Sequence, residues 1–204
     1  MTPLLAILIP TTPDRKHLLS RVTDQIHIQK KEYEVITLIN EDNYQHTTGY
    51  KRNQLIDWAV ENRASHIAFV DSDDIIGPTY IQRNMEAVYG NYDTAELWGQ
   101  YFENGKQMNP FHHSIIYDHW FQDDKAYYRC NNHLNCMKLE KVKDIRFQDK
   151  TVGEDGNWAM DIQKAGILKT EYPVKEITYF YFSGRNKDHN QEPIMAQRRG
   201  ILLH

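Results

Sequence analysis

Three short apolar segments in the first half of the chain alternate with segments of helical periodicity. The apolar segments are residues 4–9, 34–39 and 66–70. Continuous apolar or β-branched runs of this length are typical of strands buried in a sheet. Apolar residues recur at spacings of three and four after each of them, which predicts three helices. Thr12 and Pro13 are predicted to begin the first helix.

The second half of the chain has a less regular pattern. We predict a strand over residues 94–102 and a hairpin turn over 104–106. A loop-like segment rich in His, Asn and Asp follows over 109–135, then a helix over 157–165 and two strands over 167–172 and 176–182. Gly90 and Gly166 are predicted to end the helices that precede them. Strands that alternate with helices predict an α/β fold, in which helices flank an open sheet.

The composition fits one folded domain of 204 residues. Hydrophobic residues make up 40% of the chain and charged residues 25%, which excludes a disordered chain. The net charge of −4 gives no general excess of positive charge of the kind that marks nucleic-acid-binding proteins. Two cysteines, no signal-peptide pattern and no apolar run long enough for a transmembrane segment predict a cytoplasmic protein.

Polar clusters follow each of the three strands predicted in the first half. They are Thr11-Thr12, residues 40–43 and residues 71–74. Open α/β sheets bind their ligands in the crevice at the carboxyl ends of the strands. The coincidence of three polar clusters at three strand ends therefore predicts a ligand site there.

Asp71, Asp73 and Asp74 follow the third predicted strand directly. Three carboxylates in four residues repel one another, and hard oxygen ligands of this kind suit Mg²⁺ or Mn²⁺. A divalent ion there would hold a diphosphate and neutralise its charge. A polar turn that caps the next helix is the structural alternative. The motif also resembles that of haloacid-dehalogenase-type phosphatases, although those carry it on their first strand.

Hydroxyl groups and cations near the starts of the first two helices predict an anion site. Thr11, Thr12 and Arg15 would offer hydroxyls, free amides and a positive charge at the first helix. Lys51 and Arg52 lie near the start of the second helix, where the helix dipole disfavours cations. An anionic ligand nearby would compensate for that placement. The alternatives are simple capping by Thr12 and solvent exposure of the two cations.

Glu154 and Asp155 lie between two glycines and precede a predicted helix. A carboxylate that is held by amides at a helix N-terminus stays ionised near neutral pH. That property suits a general base that deprotonates a hydroxyl group. Helix capping by Asp155 is the alternative.

Two further features of the second half have structural alternatives. The spacing Cys130-x-x-His133-x-x-Cys136 offers three zinc ligands, but no fourth ligand is evident. Aromatic side chains could stack on sugar rings or form the core of this half; they are Trp98, Tyr101, Phe102, Phe111, Tyr117, Trp120 and Phe121.

The order of these motifs resembles that of the GT-A glycosyltransferases, and it is most similar to the inverting glycosyltransferase family 2. The resemblance spans residues 4–165. It rests on Pro10-Thr11-Thr12, Asn40-Glu41, Gly49-x-x-Arg52-Asn53, Asp71-Ser72-Asp73-Asp74 and Gly153-Glu154-Asp155. It implies a GT-A-like (Rossmann-like) open mixed sheet flanked by helices, in a single domain. Residues 1–95 would form the nucleotide-sugar-binding half, and residues 96–204 the acceptor-binding half.

The resemblance also implies roles for individual residues. Asp71 would contact the nucleotide ribose, and Asp73 would carry the Mn²⁺ or Mg²⁺ that bridges the donor diphosphate. Asp155, with Glu154 beside it, would be the base that activates the acceptor hydroxyl. A late histidine is a further metal ligand in many GT-A enzymes. His189 is the candidate here, and an ordinary surface histidine is the alternative.

The remaining matched residues would bind the donor. Thr11 and Glu41 would hold the nucleoside, with Arg52 near it. Pro10, Thr12, Arg15 and Ser72 complete the predicted donor-binding set. Family members often carry Asp-Asp-Gly-Ser after the second strand, where this chain has Asn40-Glu41-Asp42-Asn43. That departure leaves the choice between uridine and guanosine open.

The function implied is metal-dependent transfer of a sugar, with inversion, from a nucleotide-sugar donor to a hydroxyl acceptor. A UDP-sugar is the expected donor. The acceptor class stays open among a saccharide, a lipid-linked glycan, a protein and a modified nucleobase. The alternative functions are a Mg²⁺-dependent phosphatase of the haloacid-dehalogenase type and a non-catalytic nucleotide-sugar-binding domain.

Overall fold

Twelve strands and five α-helices make up the part of the chain that the computed structural model describes, residues 3–184. The strands are β1 (Leu5–Thr11), β2 (Val35–Glu41), β3 (His66–Phe69), β4 (Ile75–Ile76), β5 (Thr94–Ala95), β6 (Leu97–Glu103), β7 (Lys106–His113), β8 (Phe121–Gln122), β9 (Tyr127–Arg129), β10 (Met137–Lys138), β11 (Glu171–Tyr172) and β12 (Ile177–Ser183). The helices are α1 (Lys16–Gln29), α2 (Thr48–Glu61), α3 (Tyr80–Tyr89), α4 (Leu139–Val142) and α5 (Glu154–Ala165).

The first sheet is mixed and has the strand order β11-β5-β10-β3-β1-β2. β1 pairs in parallel with β2 on one side and with β3 on the other. β10 pairs antiparallel with β3 and with β5, and β11 pairs in parallel with β5. The α/β fold with a mixed sheet flanked by helices is therefore confirmed.

β1 is buried along its whole length because helices cover both faces of the first sheet. Leu5, Ile7 and Ile9 belong to a core cluster that includes residues of α1 and α3. Ala6 and Leu8 belong to a second cluster, which includes residues of α2 and α5. Successive strand side chains point to opposite faces, so the continuous apolar run of β1 contributes to both layers.

The chain order of the parallel strands creates the crevice in which a ligand site was predicted. From β1 the chain crosses to β2 on one side, and it then returns past β1 to β3 on the other side. Thr11 and Glu41, the last residues of β1 and β2, lie side by side in the register of the two strands. Ligands of open α/β sheets bind at such a reversal, outside the carboxyl ends of the strands.

The second sheet has the strand order β4-β12-β6-β7-β9-β8. The predicted strand over 94–102 is instead divided between the two sheets, because the chain leaves the first sheet after β5 and enters the second at β6. Glu96 lies at the crossing, and its carboxylate accepts a hydrogen bond from the Val174 amide. The predicted hairpin turn between β6 and β7 is present, with positive φ angles at Asn104 (49°) and Gly105 (81°).

Several predicted boundaries in the second half were wrong. Residues 109–135 are not one loop, since they contain most of β7 and all of β8 and β9. β7 ends in His112 and His113, which are buried. Because histidine is a polar residue type, the sequence pattern did not predict a strand there. α5 begins at Glu154, earlier than predicted, and only Glu171 and Tyr172 of the segment 167–172 form a strand.

Thr12 does not cap the first helix with its side chain. A short 3₁₀ turn, Pro13–Arg15, precedes α1, and the Thr12 hydroxyl donates to the Asp14 carboxylate at 2.6 Å. Gly90 ends α3 and Gly166 ends α5, as predicted, but only Gly166 has the left-handed backbone. None of the helices formed by residues 3–184 combines the length and the apolar character that crossing a membrane requires.

Gly49 allows the segment that follows β10 and α4 to pack on the start of α2. Its amide donates to the Lys150 carbonyl at 3.0 Å, and a Cβ atom there would lie 1.9 Å from the Gln148 carbonyl oxygen. We expect Gly49→Ala to lower the free energy of unfolding by about 1–3 kcal/mol, because backbone must move to admit the methyl group. Urea denaturation measures this loss.

Gly156→Ala is the matched control. An added Cβ there would meet only the ring of the exposed Trp120, at 3.1 Å, and alanine favours the helical conformation of α5. This variant should be at least as stable as the wild type. Equal stabilities of Gly49→Ala and the wild type would contradict the close approach at α2.

Candidate active site

Two cavities meet at the carboxyl end of the first sheet. The larger, of about 590 Å³, is bounded by the end of β1, the start of α2 and the segment that leads into α5. The smaller, of about 250 Å³, is lined mainly by strands of the second sheet. Asp71, which follows β3, and Asp155, in the first turn of α5, line both cavities. The topology thus brings together two carboxylates that are far apart in the sequence.

Arg52 holds the centre of the site. Its Nη2 donates to Asp71 Oδ1 at 2.9 Å, and its Nη1 donates to Glu154 Oε1 at 2.5 Å. The guanidinium is buried and lies over the rings of Phe69 and Phe147, at 5.8 and 5.5 Å from their centroids. One cation therefore ties α2 to the end of β3 and to the start of α5.

The two carboxylates paired with Arg52 differ in their acidity. Burial alone would raise the pKa of Asp71, but the Arg52 guanidinium and His133 lower it well below its usual value. Burial raises the pKa of Glu154, and the Arg52 guanidinium opposes that rise. Burial also disfavours the charged form of Arg52, but the two carboxylates outweigh it and raise the pKa of the guanidinium. Asp71 and Arg52 are therefore charged at neutral pH.

The four residues Asp71 to Asp74 have separate environments. Asp73 is buried, and its Oδ2 lies 3.1 Å from Arg15 Nη1. Ser72 is fully buried and does not line either cavity. Asp74 accepts hydrogen bonds from the Tyr179 hydroxyl at 2.9 Å and from the Phe182 amide at 3.0 Å, so it attaches β12 to this turn. Of the three aspartates in this turn, Asp71 alone lines the two cavities.

Three cations surround the larger cavity: Arg15, Lys51 and Arg52. Lys51 is buried, and its Nζ donates to the Thr11 carbonyl at 2.8 Å and to Asp42 Oδ1 at 3.4 Å. Lys51 and Arg52 are not on a solvated helical face, so the structure excludes that alternative. Both side chains line the larger cavity, whose wall also carries the carboxylates of Asp14, Asp71, Glu154 and Asp155.

The structure gathers most of the predicted donor-binding residues. Pro10, Thr11, Thr12 and Arg15 line the larger cavity. Glu41 is exposed and does not line it, whereas its neighbour Asp42 contacts Lys51. His189 lies outside the described residues.

Two kinds of residue in the site were not predicted. Tyr44 and His46 line the larger cavity, and the His46 ring stacks on Tyr50 with a centroid distance of 4.2 Å. His133 is buried between the two shared carboxylates, with Nε2 3.6 Å from Asp71 Oδ2 and Nδ1 3.9 Å from Asp155 Oδ2. The sequence signal at His133 was its spacing between two cysteines, which suggested zinc binding and not a position beside these carboxylates.

The zinc interpretation of the cysteine–histidine segment has no support in the geometry. Cys130 and Cys136 are buried free thiols, and burial raises the pKa of both. Among residues 3–184, no three His, Cys, Asp or Glu side chains are placed to hold a metal ion together. Mg²⁺, however, is usually bound by one or two carboxylates together with water and substrate phosphates. Asp71 offers one such carboxylate at both cavities, whereas Asp73 lines neither cavity and is paired with Arg15.

Comparison with known proteins gives similarity in structure only. Neither a protein-family model nor a curated protein sequence matches this chain. Residues 1–349 of S. aureus TarS, in complex with UDP-GlcNAc, superpose with a TM-score of 0.64 at 13% identity, over 89% of this chain and 59% of that one. This chain therefore spans less than two thirds of that TarS fragment.

Two further structures match over most of their own length. A197 from STIV has a TM-score of 0.52 at 17% identity, over 89% of this chain and 86% of its own. A glycosyltransferase involved in the glycosylation of the major capsid of PBCV-1 has a TM-score of 0.50 at 12% identity, over 95% of this chain and 100% of its own. The fold is GT-A-like. At these identities the likeness establishes the fold alone.

Removal of the Arg52 charge should strongly destabilise the protein. We expect Arg52→Met to lower the free energy of unfolding by about 3–5 kcal/mol, because Glu154 is left buried without its cation. The double variant Arg52→Met/Glu154→Gln should recover part of this loss, since it removes the unpaired charge. Urea denaturation at neutral pH measures both.

Arg146→Met is the matched control. Arg146 pairs with Asp57 at 2.8 Å on the surface, where ion pairs contribute about 1 kcal/mol or less. A similar small loss in Arg52→Met and Arg146→Met would show that the buried pairs do not hold the site together.

Proposed function

We propose that this protein is an inverting glycosyltransferase, which transfers a sugar from a nucleotide-sugar to a hydroxyl group. The observation that carries the proposal is the meeting of two cavities at Asp71 and Asp155. A transferase needs one compartment for the donor and another for the acceptor, with reactive groups where they join. The resemblance to glycosyltransferase family 2 and the UDP-GlcNAc bound to TarS support the same function.

The larger cavity is proposed as the donor site. Arg15 and Lys51, together with a bound divalent ion, would offset the charge of a diphosphate. The volume of the cavity, about 590 Å³, lies within the usual range for small-molecule sites. The flat surfaces of Tyr44 and His46 would contact the nucleobase. A UDP-sugar is the proposed donor, because UDP and UDP-GlcNAc are the ligands of the similar TarS structures.

Asp71 and Asp73 are the proposed ligands of Mn²⁺ or Mg²⁺. The ion, when bound, would neutralise charge that develops on the departing nucleoside diphosphate. Arg15 Nη1 lies 3.1 Å from Asp73 Oδ2, and the 40% exposed Arg15 side chain lines the larger cavity, where we propose that it contacts the diphosphate.

Asp155 is the proposed general base. The acceptor oxygen forms a bond to the anomeric carbon as the bond from that carbon to the diphosphate oxygen breaks, and Asp155 takes the hydroxyl proton. A single displacement of this kind inverts the anomeric configuration. Glu154 is instead engaged by Arg52, and we propose that it positions Arg52 rather than accepting the proton. His133 Nδ1 lies 3.9 Å from Asp155 Oδ2, which is too far for a hydrogen bond, so the Asp155 carboxylate is not held by that ring.

The two alternative functions have less support. In a phosphatase of the haloacid-dehalogenase type the acidic motif follows the first strand, whereas Asp71 follows β3, the third strand of this chain. A non-catalytic nucleotide-sugar-binding domain would bind the donor without any turnover. The experiments below separate these outcomes.

Metal-dependent donor binding should require Asp73. Thermal denaturation is measured with UDP, GDP and UDP-GlcNAc, each with and without Mn²⁺. We expect UDP and Mn²⁺ together to stabilise the wild type more than either alone, through binding to the native state. Asp73→Ala should abolish that joint effect, whereas Asp161→Ala, an exposed position on α5, should retain it. A joint effect that survives Asp73→Ala would reject the metal assignment.

Donor turnover should require Asp155. We expect Asp155→Asn to slow the release of UDP from the UDP-sugar by about 100-fold or more, because a general base of this kind contributes roughly that factor. Donor affinity, measured by calorimetry, should change by less than about twofold, since the variant keeps the shape of the side chain. Undiminished turnover would reject the base assignment. Donor binding without turnover in the wild type would favour a binding domain.

A further inference from the structure

The smaller cavity contains hydrogen-bonding groups that residues 3–184 leave without partners. His133 is buried, and neither of its ring nitrogens has a hydrogen-bond partner there. His113 lines the same cavity, and burial lowers the pKa of its imidazole well below the usual value. A neutral imidazole offers one donor and one acceptor. Since buried polar groups are normally hydrogen-bonded, the cavity suits a ligand that carries hydroxyl groups.

The size and the walls of this cavity suit a single ring. Its volume of about 250 Å³ is smaller than the roughly 300–1,000 Å³ of pockets that hold drug-sized molecules. Four aromatic side chains form much of its wall: Tyr101, Phe111, Tyr127 and Tyr181. Such side chains offer flat apolar surface and, in the tyrosines, a polar end, which is how proteins contact sugar-like rings.

Arg129 adds a positive charge to this cavity. It lies at the end of β9, and its guanidinium carbon is 4.5 Å from the centre of the Trp120 ring. No carboxylate within residues 3–184 forms an ion pair with it, in contrast to Arg15 and Arg52, which both have carboxylate partners. A partly buried guanidinium without a carboxylate is well suited to a planar or tetrahedral oxyanion, which it can bind through two parallel hydrogen bonds.

We infer that the smaller cavity binds the acceptor, and that the acceptor unit is a hydroxyl-bearing ring with an oxyanion, a phosphate or a carboxylate, bound by Arg129. This inference rests on the proposed function, which places the donor in the larger cavity. It names the class of acceptor that the sequence left open.

The charges of the cavity would also orient such an acceptor. Asp71 and Asp155 come from the end of β3 and from α5, whereas Arg129 comes from the second sheet. The oxyanion is attracted by Arg129 and repelled by the two carboxylates. A hydroxyl at the other side of the ring then faces Asp155, next to the donor cavity.

Four probes test the inference by NMR titration of the arginine Nε–Hε resonances. They are glucose, glucose 6-phosphate, glucuronic acid and inorganic phosphate, added to protein saturated with UDP so that the donor cavity is filled. We expect at least one of the two anionic sugars to shift the Arg129 resonance and to bind about tenfold or more tightly than glucose. Comparison of glucose 6-phosphate with glucuronic acid shows whether the cavity prefers a phosphate or a carboxylate. Inorganic phosphate, which lacks the ring, should bind more weakly than the preferred anionic sugar.

The variant Arg129→Met tests the role of the charge. Methionine keeps an apolar stem against Trp120, and we expect it to reduce the preference for anionic sugars to about twofold or less. Arg129→Lys should retain part of the preference. Arg63→Met, which removes the same charge from an exposed position beyond the end of α2, should retain all of it.

Three results would overturn the inference: equal affinity of the wild type for glucose and both anionic sugars, no binding of either anionic sugar, or a preference that survives Arg129→Met. The affinity for UDP is measured in the same samples, and Arg129→Met should leave it unchanged. Failure of UDP to bind the wild type would count against the proposed function. Normal UDP binding without any preference for anionic sugars would overturn the acceptor assignment alone.

Discussion

The buried charge of Arg52 is the constraint on which the site depends. A guanidinium removed from water must be matched by carboxylates in good geometry, and Asp71 and Glu154 supply them from two different segments. Because these contacts join α2, the end of β3 and the start of α5, they fix the position of Asp155 relative to Asp71. The rings of Phe69 and Phe147 confine the guanidinium from the sides. The ion pairs therefore contribute more to the arrangement of the site than to its chemistry.

The second sheet gives this arrangement a second compartment. Asp74 attaches β12 to the turn after β3, through the Tyr179 hydroxyl and the Phe182 amide. β12 is the neighbour of β6, and β6 is followed by β7 and β9, so the wall of the smaller cavity is connected to the acidic turn. The motif at residues 71–74 thus contributes Asp71 to the cavity walls, Asp73 to an ion pair with Arg15, and Asp74 to the contact between the two sheets. Asp74 is therefore connected to the smaller cavity through β12 and does not line it.

Much of the first half of the fold was predictable from the sequence. The apolar runs of β1, β2 and β3 and the helical spacings between them are local patterns, and burial on both faces of a sheet imposes such patterns directly. Polar residues at the ends of those strands predicted the side on which a cavity would form. The second half was less predictable, because β7 ends in two buried histidines, of which His113 lines the smaller cavity, and because the segment 94–102 divides between two sheets. Neither feature leaves a periodic signal.

The sequence by itself determined which residue types were available for chemistry: acidic residues after a buried strand, cations at a helix start and two carboxylates just before a predicted helix. Only the tertiary structure decided which of them act together. It gave Asp71, Asp73 and Asp74 different partners, paired Glu154 with Arg52, and placed His133 between Asp71 and Asp155. The physical reason is that local periodicity reports whether a segment is buried, whereas contacts between distant segments depend on how strands are ordered and how helices cover them.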